Sequence, residues 1–556
     1  MHQNEVFNTL YQKLNPQQQR AVDSLEGPVM VIAGPGTGKT QILGARIGKI
    51  LIETDTDPGN ILCLTYTDAG AVAMRRRLLS FIGPDAYKVN IYTFHAFCND
   101  IIQDNLSYFE KTSLDPVSVL EQIQYLKLLI DSFPKNHPLK RFRSDAYYEV
   151  KNLRSLFSTM KKEGWTPAFI NKKIDEYLEA IEESDFFKYK KNGPGYKKGD
   201  KNQNKLDEQR ERMEKLRAAA QEFDPFQQLM RSKSRYDFDD MINWVIRAFT
   251  ENEQLLRRYQ EKYLYILVDE FQDTSGTQNR LVELLINFWD KPNIFVVGDD
   301  DQSIYRFQGA SMNNMLDFAD KYRNDLLTVV LSNNYRSTQP ILDISKALIS
   351  LNAERLVNQI KGLNKDLLSS NEKNRLLTTP PAIREYDTER SEMIDIVTRV
   401  EALITAGIHP GKIGIIYKEN KYGEELLQFF KLKNLPVYSK RSVNLLRDPL
   451  VNRIMLLISY LATEHEIPFS GDEMLFEILH ADWFHIPPIE IATLTAEVAQ
   501  KQYTPQKTSL RKWLSDKSRQ PAPDLFTQPM NERLASAGRI LESLISRVSN
   551  TTVQSL

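Results

Sequence analysis

Val29 to Thr40 reads VMVIAGPGTGKT. The opening VMVI is apolar without alternation, which predicts a short strand, Val29 to Ile32, buried on both faces. AGPGTGKT (Ala33 to Thr40) follows directly, and a helical stretch, Gln41 to Leu51, follows that. Strand, glycine-rich turn and helix in this order make a phosphate-binding loop. Ala33, Gly34, Pro35, Gly36, Thr37 and Gly38 let backbone N–H groups curl around phosphate oxygens at a helix N-terminus. Lys39 can reach the β- and γ-phosphates, and the Thr40 hydroxyl can ligate magnesium. The strict pattern has glycine at the first position; the small Ala33 stands there instead. The loop predicts an α/β fold built on a parallel sheet, with ATP and Mg2+ as ligands.

Two acidic blocks lie about 30 residues apart further along: ILVDEFQDTSGTQ (Ile266 to Gln278) and FVVGDDDQSIYRFQGA (Phe295 to Ala310). Each is an apolar strand running into carboxylates. Asp269 is placed to hold the metal, and Glu270 to orient and deprotonate an attacking water. Taken alone, a DE pair after a strand is better explained by a helix cap or a solvated turn. A phosphate loop upstream in the same sheet decides for catalysis. The second block adds Gln302 and interleaved aromatics, which suggests a phosphate site wired to a nucleic-acid track.

Further buried strands are predicted at Ile61 to Thr65, Tyr265 to Val268 and Ile294 to Val297. Phe97 to about Thr250 is charged and mostly helical, and is expected to be inserted into the sheet domain. Within it, Lys188 to Lys205 holds seven lysines and a Gly-Pro-Gly, which reads as a solvated, flexible loop. After Leu331 a second α/β pattern is predicted, with strands at Ala382 to Tyr386 and Ile413 to Tyr417 and helices at Glu389 to Ala406 and Glu424 to Leu432. From about Arg441 onward the pattern is helical. It ends in an amphipathic helix with Leu534, Ile540, Leu541, Leu544, Ile545 and Val548 near one face, and nothing downstream to bury that face.

At 556 residues the chain exceeds one core, and length alone suggests about three or four domains. A formal net charge of −1 means that nucleic-acid binding must come from local patches. No apolar run reaches the roughly 18 residues of a membrane span, and MHQNEVFNTLYQKLN lacks a signal-peptide core. Cys63 and Cys98 offer neither metal spacing nor a disulfide framework and fit a cytoplasmic location.

Together these motifs resemble the superfamily 1 DNA helicases of the UvrD/Rep/PcrA type. Besides the loop and the two acidic blocks, the resemblance is carried by LNPQQQRAV (Leu14 to Val22), LTYTDAGAVAMRRRL (Leu64 to Leu78), YTFHAF (Tyr92 to Phe97), YDFDDM (Tyr236 to Met241) and LSNNYRST (Leu331 to Thr338). It implies a RecA-like P-loop domain with a helical insertion, followed by part of a second RecA-like domain and part of its helical insertion. The corresponding divisions are 1-96 and 226-328 for the first domain, 97-225 for its insert, 329-440 for the second domain and 441-556 for the second insert. Gln18 would read the adenine, Arg75 would join the nucleotide site, Gln302 would sense the γ-phosphate and Arg336 would contact it from the second domain. Tyr66, Thr93, His95, Tyr305 and Phe307 would line single-stranded DNA, since aromatic stacking tolerates any base.

The implied activity is an ATP-dependent helicase moving 3′ to 5′, acting on single strands and single/double-strand junctions. It implies a cytoplasmic monomer serving with repair or recombination proteins. Two other functions stay open: a nucleotide-gated single-strand-binding module without unwinding, and the helicase subunit of a helicase–nuclease complex. Some positions depart from the family pattern. Gln41 and Gln308 stand where arginines are usual, and Ser439 to Leu450 lacks a glycine pair. The family's last two blocks, TLHxxKGLE-like and VxxTR-like, are not found. The expectation is therefore a truncated motor that binds ATP and magnesium but whose DNA-stimulated turnover is slow or absent.

Overall fold

The computed structural model describes residues 2–109, 115–141, 145–303, 313–360, 362–439, 448–519 and 530–552. Its strands are β1 (Val29–Ala33), β2 (Ile61–Thr65), β3 (Asn90–Thr93), β4 (Asp115–Pro116), β5 (Arg235–Tyr236), β6 (Tyr265–Val268), β7 (Ile294–Gly298), β8 (Leu327–Leu331), β9 (Asn333–Asn334) and β10 (Leu368–Ser369). Six of them form one sheet in the order β3-β2-β6-β7-β1-β8. Every pairing in it is parallel, with Val31 opposite Val297 and Val329. The expected parallel α/β architecture is present, and the four strands predicted from apolar runs fall within one residue of those observed.

The lack of alternation along those strands has a direct cause. Met30 and Ile32 enter one core with Leu62, Leu64, Ile266, Val268, Ile294 and Val296. Val29, Val31 and Ala33 enter the core on the opposite face, with Ile61, Cys63, Leu267, Phe295 and Val297. Both faces are buried under helices, so both side-chain sets are apolar. The two cysteines lie in these cores as free thiols, and burial pushes both thiols far up.

The insert is shorter than its sequence suggests at one end. Phe97, Cys98 and Ile101 of the helix Phe94–Asp104 belong to the sheet core, not to the insert. The insert's own core gathers Leu126, Leu153, Phe157, Ile170, Ile174, Ala220, Phe226 and Met230. The lysine-rich stretch carries antiparallel bridges, Lys188 to Lys201 and Gly193 to Tyr196, and a stack of Tyr189 on Tyr196 at 3.7 Å. At the other end of the first domain, β8 runs across the expected 328/329 boundary and completes the first sheet beside β1. A cut there would divide a paired strand.

The chain forms two compact units, Met1–Ile383 and Arg384–Leu556. In the second, helices Glu389–Thr405 and Asn420–Leu432 share a core of Met393, Val397, Val400, Leu426 and Phe430. The strands expected at 382–386 and 413–417 are not formed: neither segment has a ladder partner among the described residues. An extended apolar segment becomes a strand only when a neighbour takes its N–H and C=O groups, and Ile416 is 100% exposed. The terminal amphipathic helix Glu532–Arg547 has most of its expected face covered, by elements upstream, while Ile540 stays 47% exposed. Leu534, Ala537 and Leu541 pack with Tyr460, Leu475, Leu510 and Leu514. Among the described residues no helix is long and apolar enough to cross a membrane.

Candidate nucleotide site

In a sheet whose strands all run one way, the residues following each strand collect along one edge. The phosphate loop after β1, Tyr66 after β2, Phe94 after β3, Asp269 after β6 and Asp299 after β7 therefore share the carboxyl edge.

The loop turns on two left-handed glycines, Gly36 at φ +70° and Gly38 at +93°. Gly38 caps the helix Lys39–Glu53. The Thr37 hydroxyl donates to the Gly34 carbonyl at 2.7 Å, closing the turn on itself. Gln18 is buried beneath it. Its amide donates to the Thr37 carbonyl at 2.8 Å, and its side-chain oxygen accepts from the Asn15 N–H at 3.0 Å. The residue expected to read adenine thus also braces the loop. Thr40 lies in the first turn of the helix, part-buried.

The Lys39 ammonium donates to the Glu270 carboxylate at 2.6 Å. Glu270 holds a left-handed backbone at φ 48°, a conformation that costs a non-glycine residue about 1–2 kcal/mol and concentrates at functional sites. Asp269 is 7% exposed and accepts the Glu270 N–H at 3.0 Å. Burial, reinforced by the Glu270 charge, pushes its carboxyl up to about 7. Burial and Glu270 likewise push Asp273 up to about 6. A buried carboxyl so raised, beside a second carboxylate and facing a phosphate loop, fits a divalent cation, which would stabilise its ionised form. Asp269 and Thr40 would hold that ion, which would supply charge neutralisation to phosphate oxygens.

Across the loop sits the segment from LSNNYRST. The Asn334 amide donates to the Pro35 carbonyl, and the Tyr335 N–H donates to the Gly36 carbonyl at 2.9 Å. A Cβ added at Gly36 would stand 2.6 Å from the Arg336 Cβ. Arg336 is exposed there, and among the described residues no side chain pairs with its guanidinium. The structure thus brings Gln18, Lys39 and Arg336 onto one loop.

Not every expected residue lies there. Arg75 spends its guanidinium on the carbonyls of Ala86, at 2.8 Å, and of Val89 and Ile91, both at 3.4 Å. It braces the helix Asp68–Ile82 against β3. Thr93 is buried and caps the helix Phe94–Asp104 through the Ala96 N–H. His95 packs edge-on to the exposed Phe238 at 6.3 Å, with its Nε2 3.8 Å from Asp239 and without a hydrogen bond. Tyr66 is part-buried after β2. Tyr305 and Phe307 lie outside the described residues. YDFDDM proves architectural in part: Asp237 and Asp240 form a capping box and share the buried Lys161 at 2.6 and 2.8 Å.

Gln272 was not singled out from sequence. Its amide donates to Glu270 at 3.0 Å, and its carbonyl accepts the Asp299 N–H at 2.9 Å. That contact requires Gly298, where a Cβ would meet the Gln272 side-chain oxygen at 2.9 Å. Gln302 donates to the Asp299 carboxylate. Position within DEFQD was the available signal for Gln272, but its partner lies in a different block.

Fold and site together define a P-loop α/β protein of the RecA-like type. Comparison with known proteins narrows this. The model of the UvrD/REP helicase N-terminal domain matches residues 14–323, and that of the UvrD-like helicase C-terminal domain matches residues 329–470. The chain belongs to the UvrD/REP helicase family. Among its relatives are proteins named ATP-dependent DNA helicase PcrA from Staphylococcus epidermidis (strain RP62A) and Staphylococcus aureus (strain Mu50). Each is 30% identical over 436 residues, covering 77% of this chain and 51% of the relative. The chain thus spans about half the length of those relatives.

Proposed function

We propose that this chain binds ATP with Mg2+ and carries the ATP-hydrolysing site of an ATP-dependent DNA helicase, with DNA-stimulated turnover by these residues alone slow or absent. The observation that carries this is the Lys39–Glu270 pair at the carboxyl edge of the sheet, beside the raised Asp269 and beneath the Arg336 segment. A terminal phosphate would draw Lys39 away from Glu270. The freed carboxylate could then accept a proton from a water attacking in line. Gln302 would sense that phosphate and Arg336 would contact it from the second domain.

The finer reading is translocation 3′ to 5′ along single-stranded DNA and unwinding at single/double-strand junctions. The strand would run over Tyr66, Thr93, His95, Tyr305 and Phe307. Service in repair or recombination, in the cytoplasm and as a monomer, belongs to the same reading. It is supported by the family and by the position of the first three of these residues on the edge that carries the phosphate loop.

Titration with a fluorescent, non-hydrolysable ATP analogue and Mg2+ tests the nucleotide site. Lys39→Ala should weaken binding by about 10- to 100-fold, the loss expected for a charged hydrogen-bond donor; unchanged affinity would sink the assignment. Fluorescence anisotropy of a labelled single-stranded oligonucleotide, with and without the analogue, tests the track. No binding under either condition would remove the DNA reading.

A further inference from the structure

Asp299, Asp300 and Asp301 are three consecutive carboxylates at the end of β7, and the first two have side chains only 0% and 1% exposed. So dense a buried charge must be compensated. The compensation comes from a segment far along the chain. Lys365, with a side chain 2% exposed, contacts Asp299, lies 2.7 Å from Asp300 and lies 2.9 Å from Asp301. Arg355 clamps Asp301 through two bonds of 2.7 and 2.8 Å, and the Leu356 N–H donates to Asp300 at 2.8 Å. The three acids have the spacing of a cation site, but the Lys365 ammonium already bonds all three.

Asp299 is also where two other connections end. Lys39 bonds Glu270, Glu270 accepts from Gln272, and Gln272 accepts from the Asp299 N–H. The Asp299 carboxylate accepts from Gln302 with one oxygen and from Lys365 with the other. Two residues beyond Lys365, Leu367 covers the phosphate loop: a Cβ on Gly34 would meet its side chain at 2.8 Å. Burial works against the Lys365 charge, but the three carboxylates outweigh it and hold the ammonium above the ordinary lysine range.

We propose that Lys365 is a positioning residue for the nucleotide site: through Asp299 it fixes the Gln302 amide, so that discrimination between a triphosphate and a diphosphate depends on the segment carrying Arg355, Lys365 and Leu367. This rests on the nucleotide reading above. A terminal phosphate that withdraws Lys39 from Glu270 alters the load on Gln272, whose other end is anchored at Asp299. Lys365 holds that anchor from outside the first sheet, so the segment and the phosphate site share one hydrogen-bonded network.

Binding of ADP and of a non-hydrolysable ATP analogue, each with Mg2+, tests this by titration calorimetry on the full chain. Lys365→Met should weaken the triphosphate analogue about tenfold, the scale of one charge-assisted hydrogen bond, while ADP affinity stays within about twofold. Combined with Gln302→Ala it should add less than about twofold, because the two act as one unit. If Lys365→Met does not fold, the pair Asp299→Asn with Lys365→Met, which removes the charge together with its partner, is read by the same ratio. Equal weakening of both nucleotides, an unchanged ratio or additive effects would overturn the proposal. Failure of the unsubstituted chain to bind either nucleotide overturns the nucleotide reading itself, and this proposal with it.

Discussion

The Lys39 ammonium lies 2.6 Å from the Glu270 carboxylate, so the lysine of the phosphate loop and the expected catalytic base neutralise each other when no phosphate separates them. The pair links β1 to β6 across β7, and it predicts separable roles. Glu270→Gln keeps an acceptor for Lys39 but cannot take a proton. Nucleotide affinity should stay close to that of the unsubstituted chain, while single-turnover hydrolysis falls by about 10²–10⁴-fold. Hydrolysis at the original rate would remove Glu270 from the base role.

The Asp269 carboxyl, at about 7 against an ordinary 3.8, makes the site pH-sensitive. The folded state holds this proton more tightly than the unfolded chain does. Its contribution to stability therefore falls as pH rises from about 4 to about 7, and stays low above that. Cation binding has the opposite sign, because only the ionised carboxylate ligates. Below pH 7 the apparent Mg2+ affinity in the presence of an ATP analogue should weaken by up to about tenfold per pH unit. Melting temperatures from pH 5 to 8, with and without Mg2+ and analogue, measure both effects. Asp269→Asn should flatten both curves, and a variant profile identical to that of the original chain would refute the assignment.

Gly36 stands at φ +70° with Arg336 above it. Gly36→Ala meets a strained backbone, worth about 1–2 kcal/mol, and an obstructing Arg336 Cβ. It should lower the melting temperature and loosen nucleotide binding. Gly59→Ala is the control, since a Cβ there meets nothing within 4 Å and the backbone is not left-handed. Equal melting temperatures and equal affinities for the two variants would contradict the seating of the Arg336 segment on the loop.

Arg46 is 1% exposed inside the first sheet domain. It donates to the carbonyls of Ala21 and Leu25 at 2.8 and 3.1 Å, and its guanidinium lies 4.3 Å from the Phe295 ring centre. Burial lowers it to about 9. Arg46→Met should destabilise by about 2–4 kcal/mol in urea unfolding, because two carbonyls lose their donors. A variant as stable as the original would show that the desolvated charge cost as much as its bonds returned.

Much of this molecule was legible along the chain. The apolar runs of β1, β2, β6 and β7 give themselves away because burial on both faces leaves a continuous local pattern. The phosphate loop does so because its glycines and lysine are contiguous. What only the tertiary structure decided are relations between distant residues. Arg75 braces three carbonyls, and Gln272 meets Asp299. Lys365 neutralises Asp299, 66 residues before it. The segments 382–386 and 413–417 have no ladder partners among the described residues despite a strand-like composition. The physical reason is the same throughout. Periodicity and turn chemistry are properties of neighbours in sequence, whereas a hydrogen bond, an ion pair or a strand pairing exists only once folding has brought its second partner into place.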